Sequence, residues 1–287
     1  MSNIDARSRS DYQSARTKAL FRKVLNFISG QKRDLLEFDK VRAHLRLGGP
    51  VYRGLQYVPV SKIVGTVNRY HDFDRMFLPM QSHTARRWQR ISSAWYRDVN
   101  LPPILLYKVG EIYFVIDGNH RVSVARNRGQ EYIDAEVREC ASKVPVTEDI
   151  HPEDLELLGS QVEFIERTQV DKVLPGVKIE TTLLGGYDRL IEHIAVHRYY
   201  LGLEENRLIS ETEAVLQWYE NLYQPVVKIV EDSDILEDFP NRTSADLYLW
   251  IMDHLHFLKH QPGFEDAEPE DAAVDFLNRL DGDIDAE

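Results

Sequence analysis

One cysteine, Cys140, stands in a chain of 287 residues. That excludes an internal disulfide and any zinc site built from cysteines, and it fits a reducing compartment. Long apolar runs are missing as well. The longest, such as Ile112 to Ile116, have the length of a strand and fall far short of the roughly 18 residues that span a bilayer. The stretch Met1 to Arg9 is polar and lacks the apolar core of a secretion signal, so the expected location is the cytoplasm, with no membrane partner. No repeat of fixed period is present. What remains is an ordinary globular composition, 43% hydrophobic, sufficient for one large domain or two.

The net charge of −12 is unevenly spread. Residues 1–50 carry 11 Lys/Arg against 5 Asp/Glu, residues 51–150 carry 14 against 11, and residues 151–287 carry 10 against 31. Only the N-terminal part has the sign for nucleic-acid electrostatics. Its basic residues read equally as the wet face of amphipathic helices. The acidic C-terminal part reads as a solvated surface.

The apolar periodicity predicts three regions. In 1–50, Leu20, Val24, Phe27 and Ile28 mark one helix that Gly30 stops, and Leu35, Phe38, Val41 and Leu45 mark a second, ended by Gly48-Gly49-Pro50. In 51–150, short strands are expected at Tyr57 to Val60 and Ile63 to Val64, with Pro59 indicating a sheet edge. A helix over Thr84 to Tyr96 follows, then a hairpin of Ile104 to Tyr107 and Ile112 to Ile116 turning at Gly110. A short helix from Arg121 to Arg128, capped by Gly129, precedes a strand at Ile133 to Val137.

In 151–287 helices dominate, apart from one expected strand near Val177 to Leu183. Tyr187 to Leu201 is one helix, stopping at Gly202. Ser210 with Glu213, and Thr243 with Asp246, are capping boxes for two more, and Pro225 should bend the first of these. A last helix runs through Ala273 and Leu280 after an acidic linker. The fold class expected is α+β, with a small mixed-sheet domain followed by an all-α C-terminal domain.

The informative stretch is Ile116-Asp117-Gly118-Asn119-His120-Arg121. A strand ends, a glycine permits a tight turn, and a helix begins at once. The first amides of a helix lack internal partners and sit at the positive end of its dipole, which favours an anion. His120 and Arg121 add a ring donor and a forked cation. Asp117 has three possible tasks: orienting His120, binding a metal, or accepting a hydroxyl proton. The alternative is a purely structural turn capped by Asp117 and Asn119.

Strand, D-G-N-H-R, then a short helix ending in glycine resembles the phosphate-binding motif of the ParB/sulfiredoxin superfamily. The resemblance runs from about Val58 to Glu139 and includes Val58-Pro59-Val60-Ser61-Lys62-Ile63 and Leu101-Pro102-Pro103-Ile104. It implies a nucleoside triphosphate or diphosphate with magnesium, gripped by Gly118, Asn119, His120 and Arg121, with Asp117 and His120 as catalytic residues if the protein is an enzyme. Three activities are open under it. They are a regulatory nucleotide-binding or slowly hydrolytic module, a small-molecule kinase of the free-serine type, and a DNA-associated transcription or partition regulator.

Departures from the family patterns separate them. Asn119 stands where sulfiredoxins carry their reactive cysteine. The Glu and first Arg of the G-E-R-R turn of DNA clamps are replaced by Asn119 and His120, and their E-N-x-Q-R motif is missing. The D-G-H-H-R of free-serine kinases differs at one position.

The loop Arg69 to Arg75 is the next candidate, with Arg69 and Arg75 expected on phosphate and Asp72 or Asp74 on magnesium; a surface loop with local ion pairs is the competing reading. Arg86, Arg87 and Arg90 could line the same cleft or face solvent. His193 and His197 have a spacing that can hold a metal but lack the intervening Glu of H-E-x-x-H, so buried or capping histidines are the simpler expectation. The aromatics around Trp218 and Trp250 are expected in the core or in a homodimer contact of the helical half.

Overall fold

The computed structural model describes the backbone of residues 3–29 and 35–284 and the side chains of 3–25 and 35–280. It is a mixed α/β structure with a helical C-terminal region, dividing into two units at Leu155 and Glu156. The first unit is built on one six-stranded sheet. Its strands are β1 (Leu36–Glu37), β2 (Val51–Pro59), β3 (Ile63–Thr66), β4 (Ile104–Val109), β5 (Ile112–Asp117) and β6 (Tyr132–Cys140), in the order β1-β3-β5-β4-β6-β2. β4 and β5 form the expected antiparallel hairpin around Gly110, while β3 pairs parallel with β5 and β4 parallel with β6. β2 is an outer strand, in keeping with Pro59, which has no amide to donate.

β5 lies between two neighbours, and Ile112 through Val115 are all buried, the continuous apolar run of a covered strand. On β6 burial alternates, with Ala135 and Val137 inward. Tyr113, Val115, Ala135 and Val137 join Ile63, Phe73, Phe77, Ile104 and Val122 in one core. Helices α1 (Asn3–Ser29), α2 (Phe38–His44), α3 (Ala85–Tyr96) and α4 (Asn119–Asn127) complete the unit.

Two expectations for residues 1–50 are corrected. The second helix was expected to include Leu35, but Leu36 and Glu37 instead form a strand parallel to β3, and the helix starts at Phe38. Gly65 permits that pairing: a Cβ there would lie 2.6 Å from the Leu36 carbonyl oxygen and 2.4 Å from the Phe114 ring. In α1 the apolar positions expected to be buried are not, since Leu20 and Val24 are exposed. Burial falls on the small-residue side, where Tyr12, Ala15 and Ala19 pack on Trp88 of α3. Arg128 locks this contact, pairing with Asp11 at 2.8 Å while lying over the rings of Trp95 and Tyr96. Gly30 and the side chains of Phe27 and Ile28 lie outside the described residues.

The second unit contains α5 (Leu155–Thr168), α6 (Val170–Val173), α7 (Gly186–Glu204), α8 (Glu211–Trp218), α9 (Gln224–Asp232), α10 (Ser244–Leu258) and α11 (Pro269–Ile284). Its core centres on Trp218, Tyr223 and Tyr248, with Tyr187, Leu190 and Ile194 of α7 beside them. The expected strand near Val177 to Leu183 does not form. That segment is irregular because its polar groups are used otherwise: the Thr181 and Thr182 hydroxyls donate to the Asp246 carboxylate at the start of α10.

Thr243 and Asp246 make the expected capping box, whereas Ser210 caps α8 alone because the Glu213 carboxylate turns to Arg207. Gly202 does not stop α7, which runs on to Glu204. Pro225 acts through a π-turn over Tyr219–Tyr223, whose wider winding accommodates the missing amide and the bulk of the ring. No helix among the described residues is long and apolar enough to cross a membrane.

Candidate functional site

β5 delivers Asp117 to its C-terminal end, and Gly118 makes the turn with φ of +117°. A side chain there is strained and obstructed, since a Cβ would lie 2.4 Å from Ile104 Cγ2. α4 then begins at Asn119, two residues earlier than the expected start at Arg121, and its first amides have no acceptor within the helix. The expected caps do not act on this turn: Asp117 pairs with Arg121, and Asn119 Oδ1 has no hydrogen-bond partner among the described residues.

Asn119 and His120 are instead buried, 6% and 5% exposed, with Asn119 Oδ1 and His120 Nε2 lacking any hydrogen-bond partner. An unpartnered buried polar atom costs on the order of 1–3 kcal/mol, so two side by side are a feature to be explained.

Both line a cavity of about 200 Å³ together with Asn68, Arg69, Arg87, Ile91, Ile116, Asp117, Gly118 and Arg121. Three of these side chains are guanidinium groups with different duties. Arg121 is tied down. It pairs with Asp117 at 2.6 Å, and its other nitrogen donates to the carbonyls of Pro102 and Pro103. Arg69 sits in a left-handed backbone conformation and pairs with Asp72 at 2.9 Å. Arg87 is exposed and has no ion pair or hydrogen bond with any described residue. It is positioned by α3, which Trp88 fastens to α4 through a hydrogen bond to Ser123 Oγ at 2.9 Å.

The charge balance shows on His120. Burial, then the fields of Arg87 and Arg69, push its imidazole down to about 4, with Asp72 opposing. It is therefore neutral at pH 7, a ring held edge-on against Phe73 at 5.3 Å. Burial, followed by the attraction of Asp117 in the opposite sense, also shifts Arg121 downward, and Arg87 adds to that push. The cavity is a place where positive charge exceeds its local compensation.

The loop divides the remaining expected residues. Arg69 reaches the cavity and Arg75 does not, because Arg75 donates to the backbone carbonyls of Glu148 and Ile150 at 2.7 and 2.6 Å. Asp74 closes its own loop by accepting from the amides of Met76 and Leu78, and burial raises its carboxyl. Asp72 is held by Arg69 and by His83 at 3.0 Å. Neither carboxylate lines the cavity, and no cluster of three His, Cys, Asp or Glu suited to a metal exists among the described residues.

Of the three arginines on α3, Arg87 alone faces the cavity, while Arg90 lines a separate groove. Asn68 is an addition to the expected set. Its amide donates to the buried hydroxyl of Thr66 at 3.3 Å, a local turn with no recognisable motif.

The histidines of the helical half have ordinary neighbours: His193 meets Tyr248 at 3.3 Å and His254 meets Asp275 at 2.7 Å. No protein-family model, no curated protein and no solved structure matches the chain.

Proposed function

We propose that the cavity at the start of α4 binds the phosphate end of a nucleoside diphosphate or triphosphate, in the manner of a ParB/sulfiredoxin-like domain. The observation that carries this reading is the convergence of the unpaired Arg87 with the free first amides of α4 and the unpartnered His120 Nε2. An anion there would supply the partner that each of them lacks. At about 200 Å³ the cavity is below the range of roughly 300–1,000 Å³ that encloses a whole small molecule, so it suits a phosphate group whose organic part lies outside.

A binding role fits the site better than acid–base catalysis. His120 near 4 is a hydrogen-bonding ring at pH 7 and a poor proton carrier. The one observation favouring phosphoryl transfer of the free-serine-kinase type is that Asp117 lines the cavity, half-exposed, where it would meet a hydroxyl group. Magnesium, if required, would have to come with the nucleotide and share Asp117. The helical unit would then relay the bound state or join two copies.

Thermal shift with ATP, ADP, CTP and GTP, each with magnesium, tests the reading. At least one is expected to stabilise the wild type, and Arg87→Ala should markedly reduce that shift. Equal shifts in both proteins, or none with any phosphate compound, would reject it. Product formation with a panel of hydroxyl compounds would identify a kinase.

A further inference from the structure

α7 has two apolar faces on opposite sides. One, with Tyr187, Leu190 and Ile194, is buried in the helical core. Successive residues advance about 100° around a helix, so Ala195, Val196, Tyr199, Tyr200 and Leu203 fall on the other side. That outer face is open to solvent, with Val196 54% exposed, both tyrosines 64% and Leu203 61%. From Ala195 to Leu203 the face bears no charge, although residues 151–287 hold 31 acidic against 10 basic side chains. Arg198 lies off it, turned to the Ile209 carbonyl and to Glu211.

We propose that this face joins two copies of the chain, packed antiparallel about a two-fold axis that crosses α7 between Tyr199 and Tyr200. The residue order is symmetric about that point. Val196 and Leu203 stand at equal distances from it, so an antiparallel copy sets tyrosine against tyrosine and Val196 against Leu203 of the second chain. This self-complementarity is what a two-fold contact requires.

A parallel pairing would oppose Glu192 to Glu192 and Glu204 to Glu204, and the antiparallel one separates these like charges. The two phenol rings are already set edge-to-face at 5.5 Å, and interface cores are rich in tyrosine and poor in charge. The exposed side chains present on the order of 500 Å² per copy, about 1,000 Å² for the pair, the level at which specific interfaces begin. The contact is independent of any phosphate in the first unit.

Analytical ultracentrifugation of the full-length protein over a concentration series tests it. The mass should rise from 33.4 kDa towards twice that value, and added salt should favour the dimer by screening two acidic units from each other. Tyr199→Glu combined with Leu203→Glu should leave a folded monomer at every concentration. Tyr200→Cys should form a disulfide-linked dimer under oxidation, since the native Cys140 is buried. A monomer throughout, a dimer indifferent to the double substitution, or a dimer that salt dissociates would overturn the proposal. If the double variant does not fold, the cysteine variant decides, and failure of the folded protein to cross-link counts against the contact.

Discussion

Arg87 and His120 carry opposite halves of the argument at the level of single residues. Arg87 supplies a cation that no described residue pairs with, and it is exposed, so its removal leaves the fold alone. Arg87→Ala should weaken phosphate binding about tenfold or more, the loss of one charge-assisted hydrogen bond, while the urea midpoint stays put. Isothermal calorimetry with pyrophosphate measures the first and a denaturation curve the second.

His120 makes a prediction in pH. Its folded value of about 4 lies below the ordinary 6.5, so between those limits the unfolded chain binds more protons and stability must rise with pH. The contribution is fully present above pH 6.5 and is lost as pH falls to about 4, by up to about 3 kcal/mol. His193 and His197, also shifted down by burial, act with the same sign. His120→Gln should flatten the acid side of the stability profile. An unchanged slope would mean that the ring is not buried as described.

Besides Arg69 and Arg87, the cavity-lining residues legible in the sequence were those on the strand-turn-helix, where chain order dictates position. Arg75 and Asp74 were not, because a loop can satisfy its own backbone, and nothing local distinguishes a side chain that does so from one that faces a ligand.

Elements were readable wherever a single period governed them. β5 and α4 came out within two residues because an apolar run, a glycine and a helix follow one another without ambiguity. Gly118 is the pivot between them. Gly118→Ala should cost about 1–3 kcal/mol, from positive φ and from the collision with Ile104, and should abolish anion binding by displacing the first amides of α4.

The misread elements share a cause, which is that a distant group decided the local structure. Leu36 joined the sheet because β3 offered a parallel edge opened by Gly65. The 177–183 segment was apolar enough for a strand, but Asp246 recruited its threonines. Replacing Asp246 by Ala removes the capping box and leaves Thr181, buried, without its acceptor. The helical unit should lose about 2–4 kcal/mol. A thermal midpoint that does not move would show that this network is incidental.

For the molecule as a whole, the sequence changes near residue 150 from alternating strands to helices and from basic to acidic, and the structure divides at Leu155 and Glu156. The two units have separate cores, and each carries its own feature: one a cavity lined by three guanidinium groups, the other an uncharged, exposed helix face. Chain order alone placed the strand, the turn and the helix around Gly118.

The most direct measurement follows backbone amide resonances while pyrophosphate is added. Saturable shifts concentrated at Asn119, His120 and Arg121, needing about tenfold more pyrophosphate or beyond in Arg87→Ala, are the expected result. Shifts scattered over the surface, or a spectrum that ignores the anion at the start of α4, would contradict the account.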